Sequence, residues 1–186
     1  MATVTESLLE PTALAVPPDH LYELIDGVYV EKKVGADEIW TANVLHACIA
    51  LYLREHRIGR GAVEMIFQME PQTNRLRRPD YAFVSAERFP LEQRKLGTVW
   101  KVVPDLVAEV ISPNDTYHEV FEKVEEYFRV GVRLVWLISH QMATVQVYAS
   151  PMNVRVLKGN DTLDGGEVLP GFQLALNELF GESGKD

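Results

Sequence analysis

The run that most restricts the fold is residues 105–112, Asp-Leu-Val-Ala-Glu-Val-Ile-Ser, opened by Pro104 and stopped by Ser112-Pro113-Asn114-Asp115. It reads as a buried strand with an acid inside it. Side chains alternate across a strand, so Glu109 shares a face with Val107 and Ile111. A carboxylate on an apolar strand face is costly unless its charge is compensated. The compensator is a basic side chain, a shifted pKa or a metal ion. Residues 116–130 follow as an amphipathic helix with the apolar stripe Val120, Phe121, Val124, Tyr127 and Phe128, and Gly131 stands where a C-cap belongs.

The rest of the chain alternates in the same way. Asp26-Gly27 between Tyr22-Glu23-Leu24-Ile25 and Val28-Tyr29-Val30 predicts a hairpin with a type I′ turn. Apolar residues recur at helical spacing from Glu38 to His56. Residues 62–69, 79–84, 133–138, 144–148 and 154–157 predict strands, and residues 86–101 an irregular charged segment. Leu169-Pro170-Gly171-Phe172 predicts a turn, and residues 175–180 a short closing helix. Strands interleaved with two main helices predict an α/β sandwich around a mixed sheet. The 186 residues suit one domain, assigned to 19–180, with a flexible arm at 1–18 and a frayed tail at 181–186.

Composition removes several classes. Cys48 is the single cysteine, so neither an intramolecular disulfide framework nor a Cys-rich zinc site is available. No apolar run reaches membrane-spanning length, and the acidic N-terminus lacks the basic region of a secretory signal; the expectation is a protein of the cytoplasm. The net charge of -9 weighs at first against a nucleic-acid partner. It conceals a local polarity. Residues 71–101 carry seven basic side chains (Arg75, Arg77, Arg78, Arg88, Arg94, Lys95, Lys101) against three acidic ones, and Arg75, Arg77 and Arg78 directly precede Asp80. That is where a phosphate backbone would need counter-charge; surface salt bridges are the alternative use of these arginines.

Asp80 repeats the problem of Glu109, because it shares a strand face with Ala82 and Val84. Two acids on apolar strands of one sheet suggest a shared partner, most simply Mg²⁺ with oxygen ligands. Lys123 lies about 40° outside the apolar stripe of its helix at 100° per residue. It is a boundary residue able to send its ammonium toward Glu109, or into solvent. Glu119, Glu122, Glu125 and Glu126 are expected further round, in water. Neither a Gly-x-Ser-x-Gly elbow nor a phosphate-binding Gly-x-x-x-x-Gly-Lys loop occurs, which disfavours a serine hydrolase and a P-loop nucleotidase. A glycoside hydrolase with two carboxylates would need clustered aromatic platforms, and none is evident.

Taken in order, Tyr22-Glu23-Leu24-Ile25-Asp26-Gly27, Arg78-Pro79-Asp80, Pro104 through Pro113, Glu122-Lys123 with Tyr127 and Gly131-Val132, Val135-Trp136-Leu137 and Leu169-Pro170-Gly171-Phe172 resemble the Uma-two-type family of restriction endonucleases, within the PD-(D/E)XK nuclease superfamily. The resemblance spans about residues 19–180. It implies a restriction-endonuclease-like core, a mixed central sheet flanked by helices, with a metal site on the sheet. Pro79-Asp80 matches the family's Pro-Asp, and Glu109 its second acid. Ile111 stands where the plain superfamily pattern has lysine, and Lys123 of the following helix takes that place. Glu23 resembles the upstream acid.

The resemblance implies a Mg²⁺-dependent endonuclease acting on DNA, with Mn²⁺ as a substitute ion. Asp80 and Glu109 would hold the ion, Lys123 would orient or deprotonate the water or offset phosphate charge, and Glu23 would complete the set. Arg77, Arg78, His46 and Ser112 are candidate substrate contacts. A packed helix histidine and a strand-ending serine are the plainer readings of the last two. A symmetric homodimer would suit an enzyme that cuts both strands. The competing reading is a catalytically inactive interaction module on the same fold, favoured by the acidic balance and the displaced lysine.

Overall fold

The computed structural model describes residues 21–32, 34–70, 73, 75–93 and 97–181. The arm at 1–18, the tail beyond 181, and Arg94 and Lys95 of the basic block lie outside the described residues. Among these, no helix is long and apolar enough to cross a membrane.

The run with Glu109 forms β7 (Leu106–Val110), buried at every position. It lies inside a six-stranded sheet in the order β10-β9-β8-β7-β5-β3. The others are β3 (Gly59–Val63), β5 (Tyr81–Ser85), β8 (Leu134–Ser139), β9 (Thr144–Ser150) and β10 (Asn153–Lys158). β7 and β8 run parallel, joined by α2 (Tyr117–Val130), and the remaining neighbours are antiparallel, so the sheet is mixed as expected. Thr116 caps α2 with a capping box, and Gly131 closes it at φ 101°, a left-handed conformation that glycine adopts without strain.

The alternation of β5 and β7 separates two cores. Tyr81, Phe83, Leu106 and Ala108 face α1 (Ala36–His56) through Ala42, Leu45 and Ile49. Ala82, Val84, Val107, Val135 and Leu137 face Val124 and Tyr127 of α2. Asp80 and Glu109 have the parity of this second face, which fixes the side of the sheet on which any site they share must lie.

Smaller pieces surround the sheet. The hairpin is β1 (Tyr22–Ile25) and β2 (Val28–Glu31), with Asp26 and Gly27 both at positive φ (50° and 82°), as a type I′ turn requires. Leu24 and Leu76 exchange backbone hydrogen bonds of 2.9 and 2.8 Å, which anchors β1 beside residues 75–78.

Three local expectations are corrected. Residues 62–69 do not form one strand: the chain breaks at Glu64 (φ 51°), leaving β3 and β4 (Ile66–Phe67). The segment read as irregular contains β6 (Val99–Trp100), paired with β4. Leu169–Phe172 is not a free turn but the start of β12 (Leu169–Ala175), paired with β11 (Thr162–Gly165) across a register shift. The closing helix is α3 (Leu176–Phe180).

Candidate active site

A cleft of about 1120 Å³ opens on the α2 side of the sheet, and Glu23, Asp80, Glu109 and Lys123 all line it. Each arrives from a different element. The Leu24–Leu76 pairing brings Glu23 in from β1. Asp80 stands at the entry of β5, Glu109 inside β7, and Lys123 on the second turn of α2.

The three carboxylates are held in a common manner. Asp80 Oδ2 accepts the Val110 N–H at 2.6 Å, and Glu109 Oε1 accepts the Tyr127 hydroxyl. Glu23 Oε1 accepts the Arg78 N–H at 2.9 Å. Each acid thus has one oxygen fixed by a neutral donor, and the other faces a cation. Asp80 Oδ1 lies 2.6 Å from Lys32 Nζ, while Glu109 Oε2 and Glu23 Oε2 lie 3.8 and 4.0 Å from Lys123 Nζ. Arg77 also reaches Glu23 Oε2, at 2.8 Å.

Charge state follows from this packing. Burial raises the Glu109 pKa and nearby Asp80 adds to the rise, against the pull of Lys123 and Lys32. The Glu109 charge in turn holds the Lys123 pKa above its ordinary value, so Lys123 stands as an ammonium. Burial alone would lower the Lys32 pKa, but the charges of Glu109, Asp80 and Glu64 together hold it well above the usual lysine range.

Lys32 and Glu64 are the site residues that sequence reasoning missed. Lys32 follows β2 and donates to Asp80, to both oxygens of Glu64 (3.0 and 3.1 Å) and to the Arg78 carbonyl (2.8 Å). Asp80 holds the ammonium more closely, so Glu64 is the weaker partner. Burial pushes its pKa up to about 7 although Lys32 pulls it down. The folded protein therefore keeps the Glu64 proton between its ordinary 4.5 and about 7, where the unfolded chain has lost it. The resulting stabilisation is full below pH 4.5 and lost as pH rises through about 7. A carbon-13 carboxyl titration is expected to place the Glu64 midpoint near 7, and Glu64→Gln to flatten that limb of the stability profile; a midpoint near 4.5 would contradict the burial.

The substrate contacts read from the sequence fare differently. Arg77 lines the cleft and is 8% exposed, with Nε and Nη2 donating to Glu126 and Nη1 to Glu23, so three of its five donors are engaged inside the fold. Glu126 is corrected: it is 8% exposed rather than in water, because Arg75 and Arg77 compensate its charge. Arg75 also grips Asp26, and Arg88 is spent on Asp105 and the carbonyls of Val103, Pro104 and Gly131. Arg78 reaches the carbonyls of Glu64 and Tyr22. Among the described residues of the basic block, Arg75, Arg77, Arg78 and Arg88 are thus engaged inside the fold. His46 lies on α1, across the sheet from the cleft, with its ring 5.9 Å from that of Tyr81. That placement matches the plainer reading of a packed helix histidine. Ser112 lines the cleft, but its Oγ accepts the Asn114 N–H in the turn after β7.

The sequence matches the Uma2 family, described as "Putative restriction endonuclease", over residues 9–177. The chain belongs to the Uma2 family. Among solved structures it is similar to one from Anabaena variabilis described as a putative nuclease belonging to DUF820. The TM-score is 0.73 at 20% identity, covering 86% of this chain and 89% of that one, a likeness of fold. No curated protein matches the sequence.

The family's activity raises the question of a metal ion. Among the described residues, no three His, Cys, Asp or Glu side chains are gathered closely enough to hold an ion as they stand. The donor chemistry nevertheless fits one. Asp80 and Glu109 are hard oxygen donors, each with an oxygen free of neutral partners and turned toward a positive charge. The Lys32 ammonium already compensates Asp80 at this position.

Proposed function

We propose that this Uma2 chain is a metal-dependent endonuclease that hydrolyses DNA phosphodiester bonds, with the PD-(D/E)XK constellation built from Asp80, Glu109 and Lys123. The observation that carries the reading is the convergence of these side chains and Glu23 from four elements on one cleft. Asp80 and Glu109 would hold Mg²⁺ or Mn²⁺. Bound there, the ion would supply a lowered pKa for water and polarisation of the phosphoryl oxygen.

The chain's own groups have the remaining work. Lys123, kept protonated by Glu109, suits offsetting phosphate charge and orienting the water better than removing its proton. Tyr127 fixes the direction of Glu109 by holding one oxygen. Arg77 and the Arg78 N–H fix Glu23. Ten carboxylates and five cationic side chains line the cleft among the described residues, so DNA is repelled until a cation enters. Substrate affinity is then local and metal-assisted.

Calorimetric titration with Mg²⁺ and Mn²⁺, beside plasmid cleavage, tests this on the intact chain. Wild type is expected to bind at millimolar concentration or tighter and to cut. Asp80→Ala is expected to do neither. Absence of binding in the wild type at millimolar metal would reject the site. The acidic lining also favours a second reading, a catalytically inactive interaction module. That reading expects no cleavage with any metal, and it fails if cleavage occurs and is lost in Glu109→Ala.

A further inference from the structure

The cation already lodged in the cleft has a consequence for how an ion enters. Lys32 is a tethered charge: its backbone N–H donates to the Leu21 carbonyl at 2.8 Å, just past the end of β2, and its side chain runs inward to Asp80. The side chain is 10% exposed and the Asp80 side chain 5%, so the pair is largely shielded and meets solvent only through the cleft. The ammonium covers Asp80 Oδ1, while Oδ2 accepts the Val110 N–H, so Oδ1 is the oxygen of Asp80 that faces a positive charge.

We propose that Lys32 is a built-in competitor of the divalent ion, a gate residue that neutralises Asp80 in the metal-free protein and is displaced from it when the ion binds. This rests on the metal-site reading above. Three observations lead to it. The first is electrostatic: an ammonium at 2.6 Å from Asp80 Oδ1 repels a divalent ion that seeks the same carboxylate. The second is position: Lys32 and Asp80 both line the cleft, so the ammonium stands where an ion approaching Asp80 must arrive. The third is that displacement does not strand the lysine. Glu64 is more exposed than Asp80 (25% against 5%) and already accepts Lys32 through both oxygens. Lys32 can therefore withdraw to Glu64 and stay paired while Asp80 is released. Glu64 is in this sense the parking position of the gate, which explains a carboxylate beside the site that does not itself line the cleft.

Lys32→Met keeps the stem and deletes the charge. Calorimetry on the full chain is expected to give Mg²⁺ and Mn²⁺ dissociation constants at least about tenfold lower for Lys32→Met than for wild type, with Lys32→Arg close to wild type. A second measurement needs no variant. Reductive methylation of the wild type, read by mass spectrometry, is expected to modify Lys32 several-fold faster at saturating Mg²⁺ than in chelator. Equal or weaker metal binding by Lys32→Met would overturn the gate while leaving the metal site standing, provided Asp80→Ala abolishes binding. Lys32 labelling unchanged by saturating Mg²⁺ would overturn it equally. If no protein in the set binds either metal, the metal site fails and the gate fails with it.

Discussion

Replacing Arg77 by methionine is expected to destabilise the fold by about 3–5 kcal/mol, because it strips the partner from buried charges. Arg77 sits between Glu126 on α2 and Glu23 on β1, and the three residues are 5–8% exposed. Water does not reach them freely, so the carboxylates left behind would have to protonate or pull the hairpin and helix apart. Arg75 would retain part of Glu126, which places the loss below that of an isolated buried ion. Urea unfolding of wild type, Arg77→Met and Arg77→Met/Glu126→Gln measures it. Removing the Glu126 charge should return a substantial part of the loss, since the two residues share one network. A loss below about 1 kcal/mol would mean that Arg77 behaves as a surface residue, whose ion pairs contribute that little. The choice of readout matters. A cleavage defect in Arg77→Met without the stability measurement would not separate a lost phosphate contact from displacement of Glu23, which Arg77 holds.

Lys123→Met should behave in the opposite way. Lys123 is 28% exposed on its side chain and stands 3.8 Å or more from the acids it faces, so its loss should change stability little. Cleavage should fall by about 10²–10³-fold, the usual consequence of removing one preorganised donor to developing charge. Metal binding should persist, because deleting the Lys123 charge removes its repulsion of an incoming cation, and the Lys32 charge still pulls the Glu109 pKa down. The expected pattern is therefore a rate loss at unchanged or tighter Mg²⁺ affinity, measured by single-turnover cleavage together with calorimetry. A rate within about threefold of wild type would remove Lys123 from the chemistry and leave the cleft without its proposed charge-stabilising group.

The parts of the site legible in the sequence were those set by strand parity. Glu109 among Val107 and Ile111, and Asp80 two residues from Ala82, could each be assigned a face, and both lie on the α2 face. Capping chemistry was equally local, with Thr116 and Gly131 bounding α2. Pairings between distant segments were not legible. Nothing near Lys32 in the chain announces Asp80, which is 48 residues away, and a lysine after a hairpin strand ordinarily points to water. Arg77 and Glu126 offered a fainter signal. Arg75 and Arg77 alternate on one face of an extended run, and Glu126 follows Lys123 by three residues, which puts both near the same edge of the helix. Helical position alone placed Glu126 in solvent; the arginines from a separate segment keep it inside. The breaks at Glu64 and the pairing of β11 with β12 depend on tertiary partners, and local propensity has no access to them.

The hairpin of β1 and β2 joins two of these threads. Glu23 rides on its first strand and Lys32 leaves its second, while Val28 and Val30 on its outer side are 63% and 47% exposed. It is a thin ribbon, tied near its base by the Leu24–Leu76 exchange and with little apolar burial of its own. Its further ties are polar, Arg77 and the Arg78 N–H on Glu23 and Arg75 on Asp26, so it can open as a unit separate from a core strand such as β7. A single fraying event would withdraw a carboxylate and an ammonium from the cleft at the same moment, leaving Asp80 and Glu109 in place on the sheet. The catalytic floor and its charge cover thus belong to units of different stability, and amide exchange in 22–31 reports on the cover alone.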